Sequence, residues 1–168
     1  ECAAELRAEG KEVPDKPPLL GVMMEVPSAA MEADTIAEHC DFFSIGTNDL
    51  IQSTMAVDRT DATFSSLFNP LNPAVLKLLK TTVDAANAHN IPVSVCGEMA
   101  ANYHYAALLI GLGVRELSMP AVNIPMVKER LRSLNTGDTE RFANHILTLH
   151  YPADVSAAMT AFEEGRRF

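Results

Sequence analysis

Four short apolar runs, separated by helical patterns, organise this sequence. The runs at 19–25, 41–46, 91–96 and 115–119 predict strands, and the first three are apolar almost without interruption, as is typical of strands covered on both faces. Between them, 28–39 is rich in alanine, 72–90 carries apolar residues at helical spacing, and 102–113 ends in glycines that stop helices. We expect Ser28 to cap the first of these helices and Pro73 to lie in the first turn of the second.

This alternation of strands and helices predicts the fold. Strands that alternate with helices along the chain form a parallel sheet, so the expected class is α/β. Within 121–168 three further helical patterns follow, and we expect the last two to begin at Asp138 and near Asp154 and to pack outside the sheet. Because no repeat or flexible linker interrupts the chain, residues 1–168 are predicted to form one unit.

The composition mainly excludes certain kinds of partner and location. The 168 residues are 48% hydrophobic and carry a net charge of −9, with no basic cluster before Arg166 and Arg167, which argues against a nucleic-acid partner. No apolar run approaches the ~20 residues that span a bilayer, so membrane insertion is not expected. The cysteines (Cys2, Cys40 and Cys96) form no CxxC pair, which favours a reducing, cytoplasmic location. Since the chain starts inside a helical pattern, we expect it to be cut from a longer protein.

The predicted strands end in polar residues. Glu25 follows the first strand, Thr47, Asn48 and Asp49 follow the second in "FFSIGTNDLIQ", and Cys96 ends the third. In parallel α/β folds the reactive groups lie at the carboxyl ends of strands. These residues are therefore the candidates for a site.

Glu25 and Asp49 are candidate metal ligands. A carboxylate after the apolar run "GVMM" needs a partner, because an unpaired charge there would be costly. If the two strands are neighbours, ~4.8 Å apart, both carboxylates can reach one ion, and two carboxylates with waters and a phosphate are usual surroundings for Mg²⁺. Alternatively Glu25 pairs with a basic residue and Asp49 caps a helix over 50–57.

Cys96 and Arg59 each allow two interpretations. Cys96 is either a small buried apolar residue or, at a strand end beside a glycine, a proton donor, since a thiol with an ordinary pKa of ~8.5 is protonated at neutral pH. Arg59 either complements the end of a helix or binds a phosphate or carboxylate. The five histidines show no metal-ligand spacing and are expected to be surface or core residues: His39, His89, His104, His145 and His150.

Three motifs together resemble the phosphoenolpyruvate-utilising enzymes. "DFFSIGTNDLIQSTMAVDR" at 41–59 resembles the family's second signature, and "GVMMEVPSAA" and "VSVCGEMA" occur in the family's order and spacing. The "CGEMA" form is similar to Enzyme I of the bacterial sugar phosphotransferase system more than to pyruvate phosphate dikinase or phosphoenolpyruvate synthase. The resemblance extends from about Pro18 to the last helices.

The resemblance implies a fold and a set of roles. The chain would be the C-terminal half of a (β/α)8 barrel, strands five to eight, which needs ~250 residues to close. Glu25 and Asp49 would bind Mg²⁺, and Asn48 and Asp49 would contact phosphoenolpyruvate. Arg59 would contact its phosphate, and Cys96 would protonate the enolpyruvate to give pyruvate. The loop at 101–104 departs from the family, whose usual residues there are Ala-Gly-Asp.

The resemblance also implies partners. The phosphoryl acceptor would be a histidine on a separate N-terminal domain that passes the group to a histidine-containing phosphocarrier protein for sugar uptake. The barrel domain would form a homodimer, and this chain alone would be inactive. Two alternatives remain: an ATP-dependent dikinase or synthase of the same superfamily, and a non-catalytic dimerisation module.

Overall fold

A computed structural model describes residues 2–58 and 67–165. It contains a parallel sheet with the strands β1 (Gly21–Met24), β2 (Phe42–Gly46), β3 (Val93–Cys96) and β4 (Glu116–Leu117). One helix precedes the first strand, and the others follow the strands: α1 (Cys2–Ala8), then α2 (Pro27–Met31), α3 (Ala33–Ala37), α4 (Thr47–Met55), α5 (Pro73–Ala88), α6 (Glu98–Ala101), α7 (Ala106–Gly111), α8 (Ile124–Arg132), α9 (Thr136–Thr148) and α10 (Pro152–Glu163). Short 3-10 turns at Tyr103–Tyr105 and Ala121–Asn123 precede α7 and α8.

The sheet confirms the predicted α/β class. Its strand order is β1-β2-β3-β4, and every neighbouring pair is parallel. Each observed strand lies inside its predicted range but is shorter by one to three residues. Four parallel strands in sequence order, with helices between them, match part of a (β/α)8 barrel.

The two faces of the sheet differ in burial. Phe43, Ile45 and Val95 are fully buried on the face covered by helices, where α5 packs against α2, α3 and β2. On the opposite face, Ser44 and Cys96 are half-buried and Met23 is 48% exposed. In a barrel the helices cover the outside of the sheet. The polar strand ends therefore belong to the side that faces the barrel interior.

Two predicted helix starts are wrong. The segment 28–39 forms two short helices that meet at Glu32, and Val26 is the N-terminal cap, with Pro27 rather than Ser28 in the first position. The helix expected over 50–57 begins earlier, at Thr47, and ends at Met55. Proline lacks a backbone N–H and has a fixed φ, so it suits the first helical position.

Among the later helices, α9 and α10 begin a few residues before their predicted starts. Pro73 lies in the first turn of α5, as predicted, and Asn72 caps that helix. Asn135 rather than Asp138 caps α9, because its side chain accepts the Asp138 N–H. Similarly α10 begins at Pro152, before Asp154. An Asp anywhere in the first turn interacts favourably with the helix dipole, so its charge does not show which residue caps the helix.

The C-terminal helices pack on the helical layer rather than directly on the sheet. Helix α9 lies against α7 and α5. Phe142 of α9 stacks on Phe162 of α10, with ring centroids 4.2 Å apart. No helix among the described residues is long and apolar enough to cross a membrane.

The contact between α7 and α9 allows no side chain at Gly111. A Cβ there would lie 2.0 Å from the Thr139 carbonyl oxygen, so the two backbones touch. We predict that Gly111→Ala lowers the free energy of unfolding by about 1–3 kcal/mol, as overpacking does. Urea unfolding followed by circular dichroism measures this.

Gly137→Ala is the control for that substitution. The nearest atom to its new Cβ is a side-chain oxygen at 3.3 Å, so we expect a change within about 0.5 kcal/mol. Equal effects of the two substitutions would contradict the proposed close contact.

Candidate functional site

The carboxyl ends of β1, β2 and β3 bring the predicted site residues together. Strand β2 lies between the other two, so the condition for Glu25 and Asp49 to converge is met. Met24 pairs with Ile45 and Gly46 pairs with Cys96. Glu25, Thr47 and Cys96 therefore end three adjacent strands at almost the same level.

The Glu25 carboxylate lies over a residue without a side chain. A Cβ at Gly46 would be 2.9 Å from Glu25 Oε2 and 3.3 Å from the Met23 sulfur. A larger residue at this position would have to push the end of the Glu25 side chain aside. Within residues 2–58 and 67–165, neither Glu25 nor Asp49 forms an ion pair, so a basic partner for Glu25 finds no support in that part of the chain.

Asp49 does not cap a helix at Leu50. It is exposed in the first turn of α4, whose N-terminal cap is Gly46. The first N–H groups of a helix have no intrahelical acceptor and carry partial positive charge. The start of α4 therefore offers backbone donors to an anion next to the two carboxylates.

Cys96 is a half-buried free cysteine at the end of β3. Its thiol donates to the Ile45 carbonyl oxygen at 3.5 Å, and the Ser44 hydroxyl donates to its sulfur at 3.9 Å. The sulfur thus lies between two polar groups of β2. The Cys96 carbonyl oxygen accepts a 2.8 Å hydrogen bond from Thr47 Oγ1.

The loop after β3 folds against the start of α4. Gly97 has φ 95° and ψ −169°, a conformation that essentially only glycine adopts. A Cβ there would lie 2.6 Å from Thr47 Oγ1 and 3.1 Å from Asn48 Oδ1. Beyond it, the Glu98 N–H donates to Asn48 Oδ1 at 3.1 Å. Asn48 is thus positioned by the neighbouring loop.

The unusual loop at 101–104 is held by later elements of the chain. Asn123 Nδ2 donates to the Ala101 carbonyl at 3.2 Å, and His104 Nδ1 lies 2.7 Å from Glu163 Oε2. Burial, and secondarily the Glu98 charge, raises the pKa of Tyr105. The cavity beside this loop has a volume of about 380 Å³ and is lined by Glu98, Ala101, Asn102, Tyr103, Asn123 and Met126.

Arg59 lies outside the described residues. Among the histidines, His89 contacts Asp34 at 2.9 Å on the exposed side of α5.

The donor set suits a metal that keeps much of its hydration. In the described ranges, no group of three or more His, Cys, Asp or Glu side chains is arranged to hold a metal. Glu25, directly after β1, and Asp49, in the first turn of α4, offer instead a partial set of hard oxygen ligands. Mg²⁺ takes one or two carboxylates together with waters and substrate phosphates, so the residues fit it.

Sequence reasoning missed the contacts that support the site. The Ser44 hydroxyl beside the thiol, the Thr47 hydroxyl and the Glu98 N–H were not identified. Ser44 could have been identified from the sequence, because alternate residues of a strand lie on the same face. Ser44 is two residues before Gly46, so it lies on the same face of β2 as the strand end where the site is predicted. The other two contacts depend on the loop conformation, which the residue pattern does not fix.

Known proteins resemble this chain over most of its length. Residues 1–136 match the family described as PEP-utilising enzyme, PEP-binding domain. A phosphoenolpyruvate-protein phosphotransferase of Haemophilus influenzae is 42% identical over 95% of the chain, and one of Haloferax volcanii is 44% identical over 94%. A multiphosphoryl transfer protein of Xanthomonas campestris pv. campestris is 43% identical over 99%.

The chain spans only part of these relatives, covering 28%, 28% and 19% of their respective lengths. Its match to the PEP-binding domain nevertheless includes all four strand ends. The chain belongs to the family of PEP-utilising enzymes.

Proposed function

We propose that this chain is the Mg²⁺- and phosphoenolpyruvate-binding half of a phosphoenolpyruvate-protein phosphotransferase of the Enzyme I type. One observation carries the proposal: Glu25, the Asn48–Asp49 pair at the start of α4 and Cys96 lie at the carboxyl ends of three adjacent parallel strands. Identities of 42% and 44% to proteins of that name support the same reaction. The activity belongs to a longer protein, of which residues 1–168 are a partial barrel domain.

Glu25 and Asp49 would hold Mg²⁺. The bound ion would supply Lewis-acid stabilisation of the negative charge on the phosphate and on the enolate oxygen. Asn48 would orient phosphoenolpyruvate through its amide, whose oxygen is already fixed by the Glu98 N–H. Arg59 would bind the phosphate through its guanidinium group.

Cys96 would complete the reaction by proton transfer. The bond between phosphorus and the enol oxygen breaks as a histidine nitrogen on another domain takes the phosphoryl group, which leaves the enolate of pyruvate. The thiol then gives its proton to the methylene carbon, and pyruvate results. Because pyruvate is much more stable as the ketone, this general acid step draws the transfer forward.

The partners follow from this chemistry. The phosphohistidine would pass its group to a histidine-containing phosphocarrier protein that serves sugar uptake in the cytoplasm. The 168 residues alone would be inactive, because the acceptor histidine and further anion-binding arginines would lie elsewhere in the protein. A dikinase or synthase of the same family would instead carry an ATP-grasp domain, so the sequence of the whole gene separates the two alternatives.

We predict that Glu25→Gln and Asp49→Asn in the full-length protein each lower Mg²⁺-dependent phosphoryl transfer from phosphoenolpyruvate by about 100-fold or more, since each removes a charged ligand. Transfer of labelled phosphate to the protein measures the rate. Binding of Mn²⁺, followed by electron paramagnetic resonance, should weaken in parallel.

Asp84→Asn is the control for these substitutions. Asp84 is an exposed carboxylate on α5 that pairs with Lys80, and its loss should leave both readouts unchanged. Full Mg²⁺-dependent transfer in either site variant would show that the metal assignment is wrong.

We predict that Cys96→Ala blocks pyruvate formation but leaves phosphoenolpyruvate bound with a Kd within about threefold of wild type, because a proton donor acts after binding. Coupled lactate dehydrogenase measures pyruvate, and isothermal titration measures binding. Cys40→Ala is the matched control. Wild-type pyruvate formation by Cys96→Ala would exclude the thiol as the acid.

Homodimer formation is a second part of the proposal. Several large apolar residues around β1 are exposed: Leu19 at 74%, Leu20 at 61% and Met31 at 70%. Because β1 is the edge strand of the sheet, the other half of the proposed barrel would cover part of this surface, so homodimer formation rests on the resemblance to the family. We predict that sedimentation equilibrium of the full-length protein gives twice the chain mass. A monomer at micromolar concentration would contradict this and the dimerisation-module alternative alike.

A further inference from the structure

The Thr47 hydroxyl forms its hydrogen bond with the neighbouring strand. It is the first residue of α4 and is completely buried. A threonine at a helix start commonly bonds to its own backbone neighbours. Here Oγ1 instead donates to the Cys96 carbonyl oxygen at 2.8 Å, so the hydroxyl joins two strand ends.

We propose that Thr47 is a positioning residue for the proton donor Cys96. This inference rests on the proposed function and deepens it. Helix α4 carries Asn48 and Asp49, the residues proposed to hold substrate and metal, and β3 carries the acid. The Thr47 hydroxyl fixes the distance between these two parts of the site.

The hydrogen bond from Thr47 is one of two that hold the peptide units on either side of Gly97, and we call this pair of hydrogen bonds the clamp, with one arm from each side chain. Thr47 binds the carbonyl of the residue before Gly97, and Asn48 binds the N–H of the residue after it. Gly97 itself has φ 95° and no space for a Cβ beside either side chain. Two hydrogen bonds on opposite sides of a glycine-only turn hold that turn in one conformation. The direction in which β3 ends, and with it the Cys96 side chain, depends on this clamp.

The two arms have different consequences for the reaction. Asn48 is itself proposed to contact phosphoenolpyruvate, so its loss would disturb binding and chemistry together. Thr47 is buried beneath the site and acts only through the Cys96 backbone. Its loss should therefore slow delivery of the proton, since a misplacement of about 1 Å can cost about 100-fold in rate, while the substrate remains bound.

The experiment compares three variants of the full-length protein. Thr47→Val keeps the shape of the side chain and removes its hydroxyl, and Thr47→Ser keeps the hydroxyl. Thr82→Val is the matched control, because Thr82 is equally buried and its hydroxyl also donates to a carbonyl, that of Leu78 at 3.0 Å in α5. Pyruvate formation is measured in water and in deuterium oxide over a range of phosphoenolpyruvate concentrations.

For Thr47→Val we expect kcat to fall about tenfold or more and KM to change less than about threefold. The solvent isotope effect on kcat should rise, because proton transfer becomes the slow step. Thr47→Ser should restore at least about half of kcat, and Thr82→Val should resemble wild type. A Thr47→Val enzyme with wild-type kcat, an unchanged isotope effect, or a Thr47→Ser enzyme as slow as Thr47→Val would each overturn the inference.

Two further controls make every outcome decisive. If Thr47→Val does not fold, as judged by circular dichroism, Thr47→Ala replaces it, and failure of both would assign Thr47 to the fold alone and overturn the inference. Cys96→Ala separates the role of Cys96 as the acid from the role of Thr47 in positioning it. If Cys96→Ala still forms pyruvate, the proposed role of the acid is wrong; if it does not and Thr47→Val is normal, only the positioning role is wrong.

Discussion

The parallel register of β1, β2 and β3 is the constraint on which the site depends. It sets Glu25, the first turn of α4 and Cys96 at one level on adjacent strands. A slip of one residue would turn each of these side chains toward the helical layer. The register is held because Phe43 and Ile45 are completely buried beneath the helices, and exposing one such side chain costs about 1.5–3 kcal/mol. Burial of the apolar face thus fixes the position of the polar residues on the opposite face of the sheet.

Close packing at two glycines then fixes the positions of these residues relative to one another. A Cβ at Gly46 would crowd the Glu25 carboxylate, and a Cβ at Gly97 would crowd two side chains of α4. Gly97 has a conformation that other residues avoid, and its surroundings select it from the many that are open to glycine. Thr47 and Asn48 are those surroundings, since they bind the peptide units on both sides of Gly97. In the proposed reaction, groups held in place in this way would need little reorganisation.

The residue pattern predicted the architecture well and the details of the site less well. Apolar runs bounded by helical patterns identified the four strands and their parallel order, because burial dominates both. Helix starts were less predictable: Ser28, Asp138 and Asp154 are all good caps, yet neighbouring residues begin those helices. The site contacts of Thr47 and Glu98 depend on the conformation of Gly97, which follows from three-dimensional packing. By contrast, Glu25, Asp49 and Cys96 stand out in the sequence as candidates, because each is a reactive group at or just after the end of an apolar run.

Charge explains why these residues fit a metal better than a purely structural role. Glu25 follows β1 and Asp49 is exposed in the first turn of α4, so the two like charges repel each other through a solvent-screened environment. Among the described residues, neither Glu25 nor Asp49 has a cationic partner to offset this. The partial positive charge at the start of α4 contributes at most about 1 kcal/mol at an exposed site. An anionic substrate would add further repulsion. In the proposed site, a divalent cation held by Glu25 and Asp49 would offset their charge and would make the site attractive to an anionic ligand.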